Sequence, residues 1–247
     1  MKISIITCVL NNSDLIKKSL KSFQNQTYKK KEHIIVDGGS TDGTLDVIKK
    51  SKKKNLKLSI SSDNGIYDAL NKGIRLSSGD IIGILHSDDF YKNKKVLQTI
   101  VDTFKNTNAD LVYGDLVYVS KKFPFKVLRY WKAGKYIKKN IYNGWMPPHP
   151  TVFLKKDIFD KIGKYKTNYK ISSDYDFLIR VLTKKNIKKI YIPKILVNMR
   201  VGGMSNKSFK NLLKKSIEDF KIIKKNKIGG IFTLINKNYS KLSQFLN

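Results

Sequence analysis

In the first ninety residues short apolar runs alternate with helical stripes, and this constrains the fold more than any other feature of the chain. ISIITCV (3–9) reads as a buried strand, and Asp14 to Gln24 then carries Leu15, Ile16, Leu20 and Phe23 at helical spacing. HIIV (33–36) is a second strand ending at Asp37, GGSTDGT turns the chain, and Thr44 to Lys50 continues as helix. LKLSI (56–60) is a third strand, and Ile66, Ala69, Leu70, Gly73 and Ile74 form a stripe stopped by Ser77-Ser78-Gly79. IIGIL (81–85) is a fourth strand, ending at HSDDF, before a helix over Val96 to Phe104. Strand, helix, strand, helix with short turns predicts an α/β fold with a mostly parallel sheet covered on both faces. In such sheets ligands bind beyond the carboxyl ends of the strands, where Asp37, Asp88 and Asp89 all fall.

After residue 105 the pattern changes to a smaller antiparallel part. DLVYGDLVYV (110–119) and FKVLRYW (125–131) alternate like antiparallel strands, and NGWMPPHPTVFL (143–154) is a proline-rich loop leading into a strand. Asp176 to Leu182 reads as helix and KKIYIPKILVNMR as strand. From Ser208 a basic amphipathic helix begins, with Phe209, Leu212, Leu213, Ile217 and Phe220 on one face, and Gly229-Gly230 interrupts it before IFTLI. The expected organisation is one catalytic domain, 1–207, with a helical tail, 208–247. The tail's apolar face has two readings, packing on the domain or lying on a membrane.

The formal net charge is +31, with 50 Lys and Arg against 19 Asp and Glu. Such a surface attracts polyanions: nucleic acid, anionic lipid head groups or phosphorylated substrates. An AT-rich coding bias accounts for many of the lysines but not for the shortage of Glu. An anionic membrane surface is expected as a partner and specific nucleic acid is not. No stretch reaches the ~20 apolar residues of a membrane span, and MKISIITCVL lacks the cleavage site of a secretory leader. Cys8 stands alone in an apolar run, which fits a buried thiol and a reducing compartment. The expectation is a cytoplasmic protein, peripheral on the inner face of the cell membrane.

Several polar positions carry candidate chemistry, each beside an ordinary structural reading. Asp88 and Asp89 suit a hard cation such as Mg²⁺ or Mn²⁺, or a solvated turn. Asp37 at a strand tip suits a base or ribose, with Gly38 and Gly39 permitting close backbone approach. In SSDNGIYDALNKG (61–73), Asp63 sits just beyond a strand, and Lys72 suits a phosphate or a solvated helix face. In ISSDYDFLIR (171–180), Asp174 and Asp176 suit a general base or a helix N-terminus. Arg200, before a Gly-Gly loop carrying Lys207, suits a diphosphate or an ordinary surface. His149 in PPHP suits a metal ligand, an acceptor contact or a plain loop residue.

Together and in this order, ISIITCVLNN, IIVDGGSTDGT, SDNGIYDALNKG, GDIIGILHSDDF and SSDYDFLIRV resemble the family 2 glycosyltransferases, which have the GT-A fold, over about residues 1–205. Bacterial members that build surface polysaccharides carry a similar GIYDAMNKG segment. The resemblance implies inverting transfer from a nucleotide-diphosphate sugar, usually UDP-linked, to an acceptor hydroxyl on a lipid-linked or growing saccharide. It implies that Thr7, Asp37 and Asp63 contact the nucleotide. The acidic motif falls on Ser87-Asp88-Asp89, with Asp88 on ribose or sugar and Asp89 on the cation. The family's frequent Glu-Asp base motif reads Ser173-Asp174 here, so Asp174 is the implied base, with Asp176 the competing choice. Two rival classes use some of the same features. A nucleotidyltransferase calls for a basic Gly-rich loop after the first strand, where this chain has VLNNSD; a basic nucleic-acid binder needs no acidic strand ends.

Overall fold

A computed structural model of the chain describes residues 1–51, 54–202 and 209–240. The expected boundary at 207/208 and Lys207 lie outside the described residues. Four strands, β1 (Ile3–Val9), β2 (Lys31–Asp37), β3 (Leu56–Ile60) and β4 (Ile81–Ile84), run parallel in the order β3-β2-β1-β4. Each is followed by a helix or loop that returns the chain to the start of the sheet: α1 (Ser13–Gln24), α2 (Thr44–Lys50) and α3 (Ile66–Leu76) after the first three. The side chains of β1 and β2 alternate between two cores. Ile6, Ile34 and Val36 meet Leu70 and Ile74 of α3 in one core. Val9 and Ile35 meet Ile16, Leu20 and Ile48 of α1 and α2 in another. Burial on both faces is why these runs are continuously apolar. Gly73 lets α3 lie directly on β1, because a Cβ there would collide with the Ile6 side chain.

The second half of the sheet is mixed. It contains β5 (Phe90–Tyr91), β6 (Leu111–Val119), β7 (Val127–Trp131), β8 (Phe153–Lys155) and β9 (Lys189–Arg200). β8 pairs antiparallel with both β4 and β6, and β9 runs parallel to β6 and antiparallel to β5. The helix α4 (Val96–Thr107) covers this half with Leu97, Ile100, Val101 and Phe104. β5 is too short to stand out as periodicity, so sequence reading passes over it. Asp115 on β6 gathers the hydroxyls of Tyr130 and Tyr191 and the Ala133 amide, each at 2.8 Å, tying β7 and β9 to β6.

Beyond α5 (Lys138–Tyr142), α6 (Asp157–Ile162) and α7 (Ser173–Leu182), the chain ends in α8 (Phe209–Lys225) and α9 (Ile231–Tyr239). Ile222, Ile223 and Ile228 join the same core as α3 and α7, so the inner face of this helix pair packs on the domain. The face expected to be apolar is the outer one: Leu212, Leu213 and Ile217 are exposed, whereas Glu218 and Asp219 are buried.

Glu32 holds the base of the parallel half together. Its buried carboxylate accepts from Lys2 Nζ (2.7 Å), Ser4 Oγ (2.6 Å) and the Ser78 amide (2.7 Å). Burial pushes its pKa up, but the bonds from Lys2, Ser4 and Ser78 outweigh burial and hold it well below the usual carboxylate range. A depressed folded pKa contributes stability that is present above the unfolded value and lost as pH falls. Glu32→Gln is therefore expected to destabilise the protein by about 1–3 kcal/mol near neutrality. In thermal unfolding across pH, the gap between variant and wild type should narrow as pH falls through the carboxyl range.

Candidate active site

The loops after β1, β2 and β4 are stitched into one rim. The Asn11 amide donates to Ser40 Oγ (2.9 Å), the Thr41 amide to Asn11 Oδ1 (2.9 Å), and Asn12 Nδ2 to Ser87 Oγ (2.7 Å). Asp37 shapes its own turn: Oδ1 accepts from the amides of Gly39 (2.9 Å) and Ser40 (2.7 Å), and Oδ2 from Ser40 Oγ (2.7 Å). Its side chain is buried beneath the rim. Asn11 and Asn12 are the polar pair of VLNN whose role the sequence left unread.

Thr7 lies inside the sheet rather than at this rim. Its hydroxyl donates to the Leu85 carbonyl at 2.7 Å, which leaves His33 Nε2–H to donate to it at 2.9 Å. Burial brings His33 down to about 3. The Thr7 side chain thus has no open surface to offer a nucleotide. Lys72 is engaged as well: its ammonium pairs with Asp63 and donates to Ser61 Oγ and the Ser62 carbonyl, each at 3.1 Å. That pairing, with Asp63 the leading cause, raises the Lys72 pKa and ties α3 to the end of β3. The structure brings the two sequence candidates, Asp63 and Lys72, together as partners of each other.

The acidic strand end divides by burial. Asp88 is half-buried, whereas the Asp89 side chain is fully enclosed and its Oδ1 accepts the Arg200 amide at 3.0 Å. Burial, then the neighbouring Asp88 charge, raises the Asp89 carboxyl well above the usual range. Asp89, the residue expected to hold the cation, is thus enclosed with its Oδ2 left without a hydrogen-bond partner, and Asp88 is the carboxylate with open surface. Arg200 is equally enclosed. Its Nη1 donates to the Asp88 carbonyl at 2.7 Å, and the guanidinium lies over the rings of Phe90 and Phe125. It clamps β9 to the loop after β4, a use that a surface arginine reading misses.

One cleft of about 1060 Å³ opens beside this strand end. His86, Tyr67, Asp174, His149, Trp145 and Trp131 line it, with Arg200 at the end of β9 and Lys214, Lys215 and Lys237 from α8 and α9. Asp174 stands in the first turn of α7, part exposed. The Tyr67 hydroxyl donates to the Ile171 carbonyl at 2.5 Å and lies 3.2 Å from Asp174 Oδ1. Asp176, its rival, is fully buried between Lys166 (2.9 Å) and Arg180 (2.8 Å). The loop leading into Asp174 hangs from the tail, since the Glu218 carboxylate accepts the amides of Lys170, Ile171 and Ser172, each at 2.9 Å. Nothing in the sequence spacing links Glu218 to residues nearly fifty positions earlier. Asp219, the other cleft carboxylate, is buried against Lys237, whose ammonium also lies over the Tyr175 ring.

His149 is buried, with Nε2 at 2.8 Å from the Tyr165 hydroxyl; burial lowers its pKa to about 4, so the ring is neutral at pH 7. No group of three or more His, Cys, Asp or Glu that could hold a metal exists among the described residues. His149 thus belongs to the cleft wall rather than to a preformed ligand set. Magnesium-type sites often use only one or two carboxylates plus substrate phosphates. An open Asp88 fits that limited requirement, and the unpartnered Oδ2 of the buried Asp89 is a second oxygen beside it.

Residues 4–163 match the family described as Glycosyl transferase family 2, and the chain belongs to that family. It is a glycosyltransferase, which sets aside the nucleotidyltransferase reading. A "PGL/p-HBAD biosynthesis glycosyltransferase" of Mycobacterium bovis is 30% identical over 214 residues, covering 82% of this chain and 78% of that protein. "Glycosyltransferase AglE" of Haloferax volcanii is 29% identical over 169 residues, covering 66% and 55%. Among solved structures, S. aureus TarS in complex with UDP-GlcNAc matches with a TM-score of 0.72 at 19% identity, over 92% of this chain and 65% of that one. A mannosyltransferase of Pyrobaculum calidifontis, in complex with GDP-Man and Mn²⁺, matches at 0.67 and 16% identity, over 96% and 69%. The fold is that of the GT-A glycosyltransferases.

Asp176→Asn is expected to lower thermal stability by about 2–4 kcal/mol, because Lys166 and Arg180 lose their shared partner. Nucleotide-sugar binding by the folded fraction, read by calorimetry, should stay near the wild-type level.

Proposed function

We infer that the chain transfers a sugar from a nucleotide-diphosphate donor, UDP-linked, to an acceptor hydroxyl with inversion at the anomeric carbon. The observation that carries this reading is Asp174: it is the cleft carboxylate left open, while Asp176 and Asp219 are enclosed and ion-paired. The acceptor is a saccharide, lipid-linked or growing, of bacterial surface polysaccharide synthesis. The nucleotide lies along the rim of Asn11, Asn12 and the Asp37 turn, with Asp63 at its border. The domain 1–207 supplies these groups, and the tail completes the cleft and fixes the approach to Asp174.

The chemistry follows from those positions. Asp174 takes the proton of the acceptor hydroxyl as that oxygen attacks the anomeric carbon. The bond from that carbon to the diphosphate oxygen breaks on the opposite face, through an oxocarbenium-like state. Inversion results from this single displacement. Tyr67 holds the Ile171 carbonyl and borders Asp174, keeping the carboxylate turned to the cleft. The lysines of the cleft favour the negative charge that the leaving diphosphate gains. A Mg²⁺ or Mn²⁺ held by Asp88 would neutralise part of that charge when bound.

Asp174→Asn is expected to lower turnover by about 10²–10⁴ while nucleotide-sugar binding persists. Turnover is followed by nucleotide release in the presence of acceptor saccharides. Equal loss in Asp176→Asn, with Asp174→Asn active, would assign the base to the other residue. In a thermal-shift screen of nucleotide sugars, Mn²⁺ should add to the shift for wild type and not for Asp88→Asn. A manganese response that survives Asp88→Asn contradicts the cation assignment.

A further inference from the structure

We propose that the outer face of α8 and α9 docks on an anionic lipid bilayer beside the mouth of the cleft. The starting point is a helix packed the wrong way round for water. In α9 the buried residues are Thr233 and Lys237, with Leu234 packed part-buried against the core, while Ile231, Phe232, Ile235 and Tyr239 face out. Phe232 is 77% exposed and Ile235 53%. At 3.6 residues per turn these four lie on one side. A helix that ends in water shows the reverse pattern, polar outside and apolar inside.

The neighbouring helix repeats the arrangement with charge added. Leu213 is 55% exposed and Ile217 48%, while Glu218, Asp219, Ile222 and Ile223 point inward. Helical geometry puts Lys210, Lys221 and Lys224 on the same side as Leu213 and Ile217, and all three are exposed. Exposed apolar residues flanked by lysines suit the boundary between head groups and acyl chains. Each lysine near an anionic surface adds to the attraction.

Charge decides between occupants. A second copy of a chain with a net charge of +31 would bring like lysine rows together. An anionic bilayer instead complements them. Lys214 and Lys215 of α8 and Lys237 of α9 also line the cleft, so the docked face adjoins the cleft. Among the described residues no helix is long and apolar enough to cross a membrane, so the contact is with the surface. The proposal rests on the glycosyl-transfer reading only where it makes the acceptor lipid-borne.

The test is co-sedimentation of the full chain with phosphatidylcholine vesicles, with and without phosphatidylglycerol, at low and high salt. Wild type should bind the anionic vesicles, less so at high salt. Leu213→Ser/Ile217→Ser/Phe232→Ser/Ile235→Ser should lower the bound fraction by about tenfold or more. Lys221→Glu/Lys224→Glu should remove most of the salt-sensitive part, which keeps the test decisive if the first variant folds poorly. Wild type that ignores the anionic vesicles overturns the proposal, as does binding undiminished from wild type in both variants. A dimer in lipid-free sedimentation equilibrium that the serine variant abolishes also overturns it, in favour of a second copy on this face. Nucleotide-sugar thermal shifts without lipid read the proposed activity separately: intact shifts with no vesicle binding sink the docking alone.

Discussion

Three parallel strands that end at one edge must satisfy their terminal amides and the loops beyond them in the same place. In β1, β2 and β4 this is done by Asn11, Asn12, Ser40 and Ser87, which bond across the rim rather than to water alone, while Asp37 closes its own turn. The rim is therefore built before any ligand arrives, and the acidic end of β4 is set against it. Arg200 fixes the far side by holding the Asp88 carbonyl, while its own amide occupies Asp89. Without the parallel pairing of β1 between its two neighbours, none of these groups would meet.

The second dependence runs through the tail. Glu218 binds three consecutive amides immediately before α7, which sets the direction in which Asp174 leaves the loop. Thr233 extends the docking by donating to the Tyr142 carbonyl at 2.7 Å, near the loop that carries Trp145. The helices that complete the cleft are thus the same ones that show apolar side chains to the outside. Site and surface are two faces of one helix pair.

The parallel half was legible in the sequence because burial on both faces writes unbroken apolar runs, and the acidic strand ends stood out against them. The mixed half was less so, since β5 has two residues and β8 three, too few to show a period. Which carboxylate of a pair stays open was not legible at all. Asp88 and Asp89 are adjacent and chemically identical, and only the Arg200 amide, over a hundred residues later, separates them. Lys72 and Asp63 read as two ligand contacts because their mutual pairing depends on how α3 sits at the end of β3. For the tail, the period of Leu213 and Ile217 marked an apolar face correctly, but periodicity alone does not say which side meets the core.

A crystal structure of the Asp174→Asn protein with a UDP-sugar and Mn²⁺ tests the central claim most directly. The account expects the nucleotide along the β1–β2 rim, the metal on Asp88, and the anomeric carbon facing residue 174. A nucleotide bound away from these strand ends, or a metal held by Asp89 and His149 with Asp88 in solvent, would contradict it.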